Sequence, residues 1–181
     1  MNSNLKIFIT LVIVTVFTFL LWKMEEGASG DLSSEVTTDF AIVDTSLVTK
    51  IFIAGTDGES ALLERSSDTR FWTLNGKHLA RKDATDLLLK TFARAEVKGA
   101  VPELQRSTVI RNFSGSGKKV EIYLGDDKLE KTWYIGTATP SHTGTYMLLE
   151  TPENGKSQEP FIVHLEGFVG FLSTRFFTNE T

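Results

Sequence analysis

Residues 134–150 read YIGTATPSHTGTYMLLE, with Ser141 beside His142 in a run of small polar residues. Serine and histidine are the types of a nucleophile and its general base. Adjacent residues in an extended chain point to opposite sides, so the two side chains do not readily meet. No Asp or Glu lies in the loop to orient His142. Pro140 and Gly144 are turn residues, and the stretch is expected to be a hairpin tip between two strands.

The remaining candidates fare no better. His78, His142 and His164 form no His-x-His pair and no i, i+4 pair, the local spacings of a zinc site. Residues 114–119 (SGSGKK) resemble part of a phosphate loop. Lys119 stands where Ser or Thr is required, however, and a strand rather than a helix is expected to follow. A flexible connection with solvated lysines is the expectation there. Asp126 and Asp127 are paired carboxylates within LGDDKL, which reads as a hairpin tip with no apolar pocket to raise either pKa. Asp31, Glu35 and Asp39 lack calcium-loop spacing. No catalytic residue, cofactor or metal is expected, and no enzymatic activity.

Two aromatic sets are candidates for binding. Trp72, Trp133 and Tyr134 would stack on a ligand if one sheet face exposed them together. Phe168, Phe171, Phe176 and Phe177 are concentrated near the end of the chain. They fit either core packing by a terminal helix or an apolar surface for a partner or the bilayer interface.

The chain has 181 residues, 41% hydrophobic and 23% charged, enough for one domain with a core. Its net charge is -4 and its pI about 5.4. Nucleic-acid binding needs a basic face to displace counterions, and none is expected. There are no cysteines, which excludes disulfides, thiolate metal sites, cysteine nucleophiles and lipidation at an N-terminal Cys.

Residues 7–22 (IFITLVIVTVFTFLLW) are uncharged and bounded by Lys6 and Lys23. The run is slightly shorter than the roughly 20 residues of a membrane-crossing helix, but both lysines can snorkel and Trp22 suits the interface. A cleavable signal peptide is the competing reading, with a small-x-small site at Ala28-Ser29-Gly30. That site lies beyond Lys23, Glu25 and Glu26, so an uncleaved anchor is favoured. Both readings export the remainder of the chain. The expected organisation is an anchor over 1–24, a flexible linker over 25–38, and a periplasmic α+β domain over 39–181.

Within that domain, 48–54 (VTKIFIA) alternates as a strand. Turn residues at 56–58 lead to a second strand at 60–65 and a third at 71–74, with Asn75-Gly76 as the next turn. Residues 83–95 change to a helical period, with Ala84, Leu88, Phe92 and Ala95 on one stripe, Leu87 and Thr91 flanking it, and Asp83 as N-cap. Lys98-Gly99 ends that region, and 104–113 is ambiguous, a short helix being one reading. Strands are expected at 120–124, 132–135, 146–149 and 161–165. The fold class is α+β: antiparallel β meanders packed with one or two helices, preceded by a single N-terminal transmembrane helix.

Trp72 and Leu74 (W-x-L), the helix at 83–95, the YIG and GTYM pair (134–136, 144–147) and the FIVHL…GF…FF ending carry a family resemblance over about residues 45–181. They resemble the bacterial domain of unknown function 4340 family, found in membrane-anchored Bacteroidetes proteins. Related domains occur in auxiliary proteins of ABC-type transport systems, including those associated with gliding motility. The resemblance brings no catalytic signature. Compared members continue with a further stretch of sheet, so this chain is expected to be a short or truncated member. The expected role is a non-enzymatic, single-pass inner-membrane protein whose C-terminal domain faces the periplasm. It would be an accessory or scaffold of an envelope complex, with an ABC-type transporter as the candidate and a protein partner in the envelope. A periplasmic glycan- or small-molecule-binding module is the alternative.

Overall fold

The computed structural model describes residues 15, 39–66, 71–168, 170–176 and 178. The chain divides into two units, Met1–Glu35 and Val36–Thr181, and the fold belongs to the second. The expected transmembrane helix over 1–24 has no support in it. Apart from Thr15 that stretch lies outside the described residues, as does the linker over 25–38. Among the described residues no helix is long and apolar enough to cross a membrane.

Strands β1 (Val48–Gly55), β2 (Ser60–Arg65), β3 (Trp72–Leu74) and β4 (His78–Leu79) form a meander. Helix α1 (Lys82–Arg94) leads to β5 (Ala95–Ala100), and helix α2 (Glu103–Ser116) leads to β6 (Lys118–Leu124). Strands β7 (Lys128–Ala138), β8 (Thr145–Thr151), β9 (Gly155–Lys156) and β10 (Phe161–Leu165) complete the set. All lie in one sheet, in the order β4-β3-β2-β1-β6-β7-β8-β10-β5, with β9 on β8. Every pairing is antiparallel. The fold is α+β, a large antiparallel sheet with two helices.

Hairpin turns form where backbone chemistry permits. Asn75 and Gly76 both take positive φ (52° and 65°), as a two-residue primed turn requires. Asp127 (φ 60°) does the same beside Gly125.

One sheet face, the α1 face, holds the main core. Ile51, Ile53, Leu63, Val120, Ile122, Trp133, Ile135, Met147, Leu149 and Val163 point into it at period two, and Leu88 and Phe92 of α1 cover them. Phe92 meets Trp133 edge-on, with ring centroids 5.1 Å apart. Residues before β1 also cross this face. Phe40 and Ile42 are buried, and the Ile42 N–H donates to the Phe92 carbonyl at 2.9 Å. Lys131 Nζ clamps this strap, donating to the Ala41 carbonyl (2.6 Å), the Asp39 carbonyl (2.8 Å) and the Asp39 carboxylate (3.0 Å).

The other face carries α2. Val109 and Phe113 pack with Val101, Tyr146 and Ile162 in a separate small cluster. A Cβ on Gly136 would stand 3.0 Å from the Phe113 ring, so glycine lets the helix sit flat on β7.

Several expectations are corrected. Asp83 is not the N-cap: the helix starts at Lys82, Arg81 holds the cap position, and Asp83 pairs with the Arg81 side chain at 2.6 Å. The buried stripe is Thr85, Leu88, Thr91 and Phe92, and Ala84 is exposed. The threonines are tolerated inside because their hydroxyls bond carbonyls of the preceding turn, Thr85 to Lys82 (3.0 Å) and Thr91 to Leu87 (2.7 Å). Lys98-Gly99 does not end the region but lies within β5. Residues 114–116 close α2 rather than forming a flexible β-connection. No terminal helix forms among the described residues after β10; turns and a short 3₁₀ segment (Ser173–Arg175) replace it.

Candidate functional site

The two Trp and one Tyr expected to stack do not share a face. Trp133 is fully buried and Trp72 nearly so, both on the α1 face. Tyr134 follows Trp133 in β7 and therefore faces the α2 side. The Phe-rich end divides in the same way. Phe176 is core, Phe168 is exposed, and Phe171 lies edge-on to the His142 ring at 5.1 Å. Phe177 lies outside the described residues.

The loop at 139–144 joins β7 to β8 as a hairpin. Ser141 Oγ bonds the hydroxyls of Thr143 (2.9 Å) and Thr139 (3.2 Å), while His142 takes positive φ (56°). His164 Nε2 stands 3.6 Å from Glu96 across β10 and β5. His78 is exposed on β4. The histidines thus sit at three separate places, and among the described residues no group of three His, Asp or Glu is set to hold a metal. Asp126 is exposed in the β6–β7 turn, and Asp127 pairs with Lys50 at 3.1 Å.

A different set of residues converges. Beside α2, which covers part of β7, the same sheet face over β1, β2 and β6 holds half-buried side chains. Register places Lys50, Phe52 and Ala54 of β1 beside Tyr123, Glu121 and Lys119 of β6. Leu62 of β2 pairs with Phe52, and Tyr134 of β7 pairs with both Lys119 and Leu148. Two Lys–Tyr–Glu units organise this face. Tyr123 donates its hydroxyl to Glu121 (2.7 Å) under the Lys50 ammonium, 4.3 Å from the ring centroid. Tyr134 donates to Glu150 (2.5 Å) under Lys156, 3.5 Å from its centroid. Lys119 pairs with Glu121 at 2.6 Å.

The electrostatics follow. Both phenols are pushed up to about 12, first by burial and then by the glutamate each one meets. Burial raises the Glu121 carboxyl, but the bonds from Lys119 and Tyr123 outweigh it and leave the group below its ordinary value. Each tyrosine stays a neutral donor and Glu121 an anion across the physiological range. The arrangement fixes side chains: each tyrosine is held between a glutamate and a lysine.

Where the end of α2 meets this face there is a cleft of about 230 Å³ between Phe113, Tyr134, Lys119 and the 54–56 backbone. Of the residues on this face, the sequence singles out Tyr134 as an aromatic and Lys119 within SGSGKK. It does not single out Lys50, Tyr123, Glu121, Glu150 and Lys156, because only strand register brings them together.

No family model, curated protein or solved structure matches the chain.

Proposed function

We propose that residues 39–181 form a non-enzymatic interaction domain held at the inner membrane through residues 1–24 and facing the periplasm. In this reading it is an accessory or scaffold subunit of an envelope complex, with an ABC-type transporter as the candidate. The sheet face with its two Lys–Tyr–Glu units carries the reading. Tyrosine is enriched at protein interfaces. Side chains already held by hydrogen bonds and cation–π contacts lose less entropy when a partner binds. The face is a broad sheet surface, which suits a protein more than a small ligand. The uncharged run at 7–22 supports the anchor, and the motif resemblance supports the transporter context.

The ligand-binding alternative rests on the cleft beside Tyr134. At about 230 Å³ it is smaller than the usual ligand pocket of roughly 300–1,000 Å³. Lys156 occupies one face of the Tyr134 ring, and both tryptophans are in the core. These observations favour the interaction reading.

The test is in-cell crosslinking and affinity capture of the anchored protein, read by mass spectrometry, beside a Tyr123→Ala/Tyr134→Ala variant. Recovery of defined envelope subunits by the parent protein, reduced in a folded variant, supports the role. Recovery equal to that of an unrelated anchored protein refutes a stable assembly.

A further inference from the structure

Val43 (96% exposed), Leu47 (54%), Phe71 (58%) and Leu79 (74%) are large apolar side chains left in the open. They share one end of the sheet. Leu47 immediately precedes β1, and its carbonyl accepts from Gly125 of the β6–β7 turn at 3.0 Å. Arg65, at the end of β2, donates to the Ser46 carbonyl at 2.7 Å. Phe71 immediately precedes β3, and its carbonyl accepts from Ser66 at 3.1 Å. Leu79 pairs with Thr73 one residue into that strand. Val43 lies on the segment between the Lys131-clamped strap and Leu47.

The chain enters the domain close to this end. Lys131, which fixes Asp39 and Ala41, pairs with Ile122 near the start of β7. Sixteen residues, 23–38, separate Trp22 from Asp39. A flexible chain of that length has a root-mean-square span of roughly 20–25 Å and reaches at most about 55 Å when extended. On the anchor reading, a connection of that length is long enough for this end of the domain to meet the membrane.

We infer that this end is a lipid-contact surface: Val43, Leu47, Phe71 and Leu79 enter the bilayer interface and orient the domain on its membrane. The inference rests on the anchor reading above. Dispersed apolar side chains on one end suit a fluid surface, which needs no matching shape, more than a rigid partner. The attraction is apolar rather than electrostatic. Two cations beyond Leu79 are already paired, Arg81 with Asp83 (2.6 Å) and Lys82 with Asp86 (2.5 Å). Interfacial binding of this kind scales with buried apolar area.

The chain contains no cysteine, so single labels are simple to place. The full chain, carrying Val43→Cys, Leu79→Cys or Asp57→Cys with a nitroxide label, is reconstituted in phosphatidylcholine vesicles. Asp57, in the β1–β2 turn at the opposite end of β1, is the aqueous reference. The expected result is label accessibility at 43 and 79 that favours oxygen over a water-soluble nickel chelate, several-fold relative to 57. Replacing part of the lipid with phosphatidylglycerol leaves that ratio unchanged. If the protein floats with the vesicles but 43 and 79 read as aqueous as 57, the contact is refuted while the anchor stands. Spin–spin broadening at aqueous 79 assigns the surface to a second copy instead. A chain that fails to float overturns the anchor and this inference together.

Discussion

Replacing Lys131 with Met removes one ammonium from a site where it serves three acceptors. Its side chain is 9% exposed, whereas that of Asp39 is 59% exposed. The two partners therefore carry unequal weight. An exposed carboxylate returns to water when its partner is lost, and such charge pairs contribute about 0–1 kcal/mol. The Asp39 and Ala41 carbonyls lose a charged donor; with Asp39 exposed and Ala41 half-buried, each costs less than the roughly 1–3 kcal/mol of a fully buried unsatisfied acceptor. Some relaxation toward water is available at the strap, so Lys131→Met is expected to cost about 2–4 kcal/mol. Asp39→Asn should cost less than about 1 kcal/mol. For a domain of this size the larger loss is a fall in Tm of roughly 5–15 °C. Thermal unfolding of the full-length variants by circular dichroism measures both, and limited proteolysis reports whether the chain near 39–42 has become accessible. Equal losses in the two variants, or a Lys131→Met loss below about 1 kcal/mol, would refute the argument that one buried ammonium holds the strap.

Three further outcomes follow from the packing and the site. Gly136→Val should push Phe113 off β7 and cost about 1–3 kcal/mol, with amide exchange rising over α2 while the α1-face strands keep their protection. The Trp133 indole N–H is buried with no acceptor among the described residues. Trp133→Phe should therefore cost well under the roughly 3–5 kcal/mol expected of Trp133→Ala, as chemical denaturation would show. Tyr123 and Tyr134 should resist ionisation until about pH 12 in a near-ultraviolet titration, and Glu150→Gln should lower the Tyr134 midpoint. An unfolded tyrosine ionises near 10. The stability from each raised pKa is thus fully present below pH 10 and is lost as pH climbs from about 10 to about 12.

Strong local periodicity made much of the fold legible. The alternation of 48–54, the Leu88 and Phe92 spacing, the Asn75-Gly76 turn and the FIVHL strand all have counterparts in the structure. Other elements lacked a local signal. AEVKGA is poor in β-branched residues, yet it is β5 because β10 offers it a pairing edge. Helix α2 buries Val109 and leaves Leu104 exposed, so its sequence shows little amphipathic period. Thr85 reads as polar and Thr91 as a flank of the stripe, yet both bond within the helix and face the core. Adjacent Trp133 and Tyr134 must point to opposite faces in any strand, and that constraint by itself excludes stacking of the two on one ligand. The Lys–Tyr–Glu units join residues as far apart as Lys50 and Tyr123, and sequence spacing alone does not bring them together.

The most direct test of the interaction reading is photo-crosslinking in cells, with a photoreactive amino acid at Phe52 or Tyr123 and, for comparison, at the exposed Leu87 of α1. The account predicts one discrete adduct with an envelope protein from positions 52 and 123 and none from 87. Equal adducts from all three positions, or none from the sheet face, would contradict it.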